Sequence, residues 1–80
     1  METRVAVMSL IVENTNSIET LNATLHEYRN YIIGRMGLPY HQKNINIISI
    51  ALDAPQDVIS ALSGRIGKLE GVSVTIAFSK

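Results

Sequence analysis

Apolar positions along the chain follow two rhythms. From Arg4 to Val12 the residues are mostly Val, Ile, Leu and Met, and the segment reads as a strand. Both of its faces are apolar, with Val5, Val7 and Ile11 on one and Ala6, Met8, Leu10 and Val12 on the other. A strand in a one-sided surface sheet alternates with polar residues, so this one is predicted to be central with both sheet faces covered. Ile45 to Leu52 repeats the pattern: Ile45 and Ile47 point one way, Ile48, Ile50 and Leu52 the other. Val72 to Phe78 alternates cleanly between apolar and small polar residues and fits an edge strand with one wet face. A shorter β-prone piece, Tyr31 to Met36, is expected to break at Gly37-Leu38-Pro39, and Gln42-Lys43-Asn44 reads as a polar turn.

Between these strands the apolar spacing becomes helical. Ile18, Leu21, Leu25, Tyr28 and Ile32 form one stripe, and a helix is predicted from Ser17 to Arg29. Asn16 stands three residues before Glu19, the spacing of a capping box, which makes Asn16 the expected N-cap. A second helix is predicted to start at Asp53-Ala54-Pro55-Gln56, with Asp53 as cap and Pro55 in the first turn. Val58, Leu62 and Leu69 mark its buried face, with Ile59 and Ile66 on the flank. Lys68 falls in its last turn and Gly71 is the expected C′ residue.

The order is strand, helix, strand, strand, helix, strand. It predicts an α+β, ferredoxin-like βαββαβ sandwich: a four-stranded antiparallel sheet with two helices on one face. In that arrangement the first and third strands are central, and these are the two that are apolar on both sides. Residues 1–80 are expected to form a single domain. Because the helices cover one face only, the second apolar face predicts a homo-oligomer, with sheets stacked face to face or joined edge to edge.

Composition narrows the function. Seven Lys and Arg balance seven Asp and Glu, which argues against nucleic-acid binding through this domain alone. A direct contact with DNA would have to draw on Arg35, Lys43, Arg65, Lys68 and Lys80. With no cysteine, disulfides, thiolate metal sites and thiol catalysis are excluded. His26 and His41 are isolated, so no metal and no cofactor is expected. The carboxylates are dispersed and no nucleophile pairs with a base, so no catalysis is expected. No apolar run is long enough to span a membrane and the first residues lack the pattern of a signal peptide, so a cytoplasmic chain is expected.

Three sets of residues stand out as candidate sites. Asn14 and Asn16 lie in the turn that leads into the first helix, where free N–H groups suit an anion, although simple capping is the favoured reading. Arg35 and Gly37 lie in the Arg35-Met36-Gly37-Leu38-Pro39 segment, where a cation beside a turn would anchor a ligand or a subunit. Ser60, Gly64 and Gly67, with Ser63, put small residues on the outer face of the second helix, which either receives another backbone or is a relaxed exposed surface.

The Arg35–Pro39 segment, Ile47-Ile48 and the run from Ala61-Leu62-Ser63-Gly64-Arg65 to Gly71-Val72 resemble the iron-only (FeFe) hydrogenase system regulator family. The resemblance covers essentially the whole chain. It implies an ACT-like fold, similar to the effector-binding half of nickel-responsive regulators, and a transcriptional-regulator role beside hydrogenase assembly. It also implies a small oligomeric domain that binds a small-molecule effector. The alternatives are an amino-acid-binding ACT domain and a pure protein–protein interaction module whose contact is the Ser60, Gly64 and Gly67 face.

Overall fold

The structure is a computed structural model that describes residues 2–79. Strands β1 (Arg4–Val12), β2 (Ile32–Tyr40), β3 (Ile45–Ala54) and β4 (Val72–Phe78) form one antiparallel sheet in the order β2-β3-β1-β4. Helix α1 (Ile18–Glu27) joins β1 to β2 across β3, and α2 (Gln56–Gly67) joins β3 to β4 across β1. This is the predicted ferredoxin-like arrangement, with β1 and β3 central as their composition requires.

Burial alternates strictly along the central strands. Ala6, Met8, Leu10 and Val12 of β1 and Ile48, Ile50, Leu52 and Ala54 of β3 are buried. They pack against Leu21 and Leu25 of α1 and Ile59, Leu62 and Ile66 of α2. Each fully buried aliphatic side chain contributes about 1.5–3 kcal/mol relative to exposure, so this single layer supplies most of the driving force. The opposite face of the sheet is left open within the chain, as two helices on one face require, so the cover expected for it has to come from outside the chain.

The helices differ from expectation at their ends. The first helix does not run from Ser17 to Arg29: α1 is framed by 3-10 turns at Thr15–Ser17 and Arg29–Tyr31. Asn16 is not its N-cap. Asn14 does the capping, its Oδ1 accepting from the Asn16 N–H at 2.9 Å, because the 3-10 turn moves the start of the helical path two residues earlier. Thr24, on the expected polar side, is buried, and its hydroxyl is satisfied by donating to the Thr20 carbonyl.

Asp53 does not cap α2. It still belongs to β3, paired with Val5, and α2 follows Pro55. The buried face of α2 is Ile59, Leu62 and Ile66, while Val58 and Leu69 sit half-buried beside it. Lys68 closes the helix and Gly71 comes three residues later, in the turn before β4. There its φ of +72° is one that glycine adopts without strain.

The largest departure is β2. Gly37-Leu38-Pro39 does not break it: the strand continues to Tyr40, paired residue by residue with β3. Pro39 is tolerated because β2 is an edge strand with no second neighbour needing its missing N–H. A bulge between Ile32 and Gly34 absorbs the irregularity at the other end.

Candidate functional site

Strand register defines the open face of the sheet. Paired residues share a face, so the side opposite the helices carries cross-strand rows. One row is Leu38, Ile47, Ile11 and Ser73; the next is Met36, Ser49, Ser9 and Thr75; the third is Gly34, Ala51, Val7 and Ala77. Tyr40 and Ile45 extend the surface at one end, Val5 and Asp53 at the other. Across the three middle rows no side chain is charged. Met36 is 68% exposed and Leu38 56%, and with Val7, Ile11 and Ile47 they make a group of exposed apolar side chains on one face, the feature that marks an interaction surface.

The other face has a hollow between α1 and β2. Asn22 and His26, one turn apart, line it from α1, and Arg29 lines it from the 3-10 turn that follows. Arg35 lines it from β2, on the helix side of the sheet because it pairs with Ile50. Leu25 and Ile32 form the floor of a space of about 280 Å3. Arg35 Nη2 donates to Asn22 Oδ1 at 3.2 Å, and Arg29 Nη1 donates to the His26 carbonyl at 2.9 Å. Gly37 lies one step further along the same side of β2, where an added Cβ would meet no atom within 4 Å.

A larger hollow, of about 350 Å3, surrounds Arg4. Its cation is already engaged: the guanidinium donates to Gln56 Oε1 and to the Ser79 carbonyl, and lies 4.4 Å from the centre of the Phe78 ring.

Asn14 and Asn16 are remote from Arg35 and Gly37. The first pair follows β1, with Asn14 against Gly71 of the α2–β4 turn, whereas the second lies on β2, beyond β3. The structure therefore does not gather the four residues into one site. Asn14 is occupied in holding its own turn, and next to it Ser17 Oγ donates to the Glu70 carbonyl at 2.7 Å.

Ser60, Gly64 and Gly67 lie along the exposed side of α2. An added Cβ at either glycine would meet nothing within 4 Å, so neither is required by packing within the chain. Arg65 belongs to a different contact: it grips Glu27 of α1 through both guanidinium nitrogens, at 2.8 and 3.2 Å, and stands 5.6 Å from the centre of the Tyr28 ring. The hydrogen bonds from Arg65, then its charge, hold the Glu27 carboxyl below the usual carboxylate range. The same pairing raises the Arg65 guanidinium above its ordinary value.

Of the basic residues named for DNA, Arg65 is thus committed to Glu27, and Lys80 lies outside the described residues. Among the described residues no group of three or more His, Cys, Asp or Glu side chains could hold a metal ion, and no helix is long and apolar enough to cross a membrane. The role of His26 and Arg29 beside Arg35 was not visible in sequence. Their shared helix side with Asn22 was readable, but which strand it faces depends on the sheet order.

Comparison with known proteins gives this architecture a family. The profile of the TM1266-like family, described as an iron-only hydrogenase system regulator, matches residues 4–76. The solved structure of the uncharacterized protein TM1266 from Thermotoga maritima superposes with a TM-score of 0.94 at 31% identity, covering 99% of this chain and 100% of that one. A formyltetrahydrofolate deformylase from Pseudomonas putida KT2440 shares the fold, with a TM-score of 0.65 at 14% identity, over 91% of this chain and 28% of that one. No curated protein matches the chain. With matching length, fold and sequence profile, the chain belongs to the TM1266-like family of iron-only hydrogenase system regulators.

Proposed function

We propose that this chain is a regulatory module of the iron-only hydrogenase system that acts by binding and not by catalysis, as a pair of copies stacked through their open sheet faces. The observation that carries the reading is the open face, uncharged across its three middle rows and exposing Val7, Ile11, Met36, Leu38 and Ile47 among small hydroxyl residues. From strand spacing and rise, four strands of seven to ten residues present a surface of ~550 Å2 per copy. Two copies would bury ~1,100 Å2 of this projected area, above the ~1,000 Å2 a biological interface should clear, before side-chain relief is counted.

Stacking is favoured over edge pairing by the β2 edge itself. It carries a bulge, Pro39 and Arg35, features that discourage a further strand from adding there. A module of this kind regulates when an effector or partner binds its two assembly states with different affinity. Family membership supplies the system; the open face supplies the means.

The regulatory role is tested in the host by deleting the gene and complementing it with the wild type or Ile47→Lys. Hydrogenase activity should change on deletion, be restored by the wild type, and not be restored by the variant. Activity indifferent to the deletion would overturn the regulatory reading.

A further inference from the structure

We propose that the hollow between α1 and β2 is a binding site for a small organic anion, a carboxylate or phosphate carried on a compact apolar body. The inference deepens the regulatory reading by naming the chemistry of an effector. It rests on that reading for the purpose of the site, not for its existence.

Two arginines line the hollow, Arg29 from the turn after α1 and Arg35 from the strand. Neither faces a carboxylate among the described residues, where the ion pair present joins Arg65 to Glu27. Their hydrogen bonds go to neutral acceptors, the His26 carbonyl and the Asn22 amide oxygen, each through one nitrogen. Arginine carries five N–H donors in a planar fork, so most of each fork is free to meet an oxyanion in bidentate fashion. The His26 imidazole and the Asn22 amide add neutral or cationic donors on the same rim.

No acidic side chain lines the hollow. Glu27 is turned to Arg65, and Glu19, one turn before Asn22, does not reach the space. The floor is aliphatic: Leu25 is almost wholly buried and Ile32 half-buried. A rim of cations over an apolar floor fits a ligand with a charged end and a hydrocarbon end. The volume, about 280 Å3, is at the small end of ordinary ligand sites and suits a compact metabolite, not a polymer.

The test is a titration of the full chain followed by amide nitrogen–proton spectra, at fixed ionic strength set with sodium chloride. The probes are isovalerate, its neutral analogue isovaleramide, and inorganic phosphate. Isovalerate should shift the amide signals of Asn22, His26, Arg29 and Arg35 saturably, and isovaleramide should not. A stronger response to phosphate than to isovalerate keeps the anion site and assigns it to phosphate-bearing ligands. Arg29→Gln and Arg35→Gln, each with an otherwise native spectrum, should weaken binding roughly tenfold, the worth of one charge-assisted hydrogen bond. Shifts no larger than those from chloride alone, or wild-type affinity retained in both variants, would overturn the proposal. A single-copy mass in solution would sink the stacked pair and leave this titration untouched.

Discussion

Gly71 and Asn14 stand so close that a Cβ on the glycine would lie 2.7 Å from the Asn14 Cβ and 2.9 Å from its backbone nitrogen. The contact ties the turn after β1 to the turn before β4, and the Glu13 N–H donating to the Gly71 carbonyl at 2.7 Å reinforces it. Two loops far apart in sequence thereby close one end of the sheet.

Gly71→Ala should be costly for two reasons. Its φ of +72° is unfavourable for any residue with a Cβ, and the new carbon would strike backbone that cannot move aside. The left-handed conformation alone costs about 1–2 kcal/mol. With roughly 4–8 °C per kcal/mol for a domain of this size, Tm should fall by about 10 °C or more. Thermal unfolding followed by circular dichroism measures it, and an unchanged Tm would mean the two turns are not locked together.

Gly64→Ala should do the opposite. Gly64 lies inside α2 with helical geometry and open space around it. Alanine is favoured over glycine in a helix interior by about 1 kcal/mol, so Tm should rise by roughly 4–8 °C. A loss of stability would show that the small-residue face of α2 is in close contact with something outside the chain.

The Glu27–Arg65 pair predicts a pH signature. Glu27 is held below its ordinary range in the folded state, so the contribution is present above the ordinary glutamate pKa and fades as pH falls through the lowered value. Both side chains are well exposed, so the effect is small. Urea midpoints of the wild type and Glu27→Gln should differ at about pH 7 and converge as pH falls below the ordinary glutamate range. A gap that widens toward acid would contradict the assignment.

Much of the fold was legible before the structure. The doubly apolar runs at Val5–Val12 and Ile45–Leu52 marked the central strands because burial and its periodicity act locally. Gly37-Leu38-Pro39 misled because local breakers yield to pairing when the strand sits at an edge. Asp53 misled in the same way: β3 keeps it because its partner Val5 extends the ladder that far. Of the candidate site, Arg35 was legible as an unassigned cation beside a turn. Its meeting with Asn22, His26 and Arg29 depends on the placement of α1 against β2, which no local pattern encodes.

The central claim is the stacked pair, and sedimentation equilibrium tests it most directly. A dilution series of the wild type beside Ile47→Lys, which puts a charge in the row of Ile11 and Leu38, is the decisive comparison. The account predicts about twice the 8.8 kDa chain mass for the wild type at micromolar concentration, and the single-chain mass for a folded Ile47→Lys. A wild type that sediments as one chain throughout the series would contradict it.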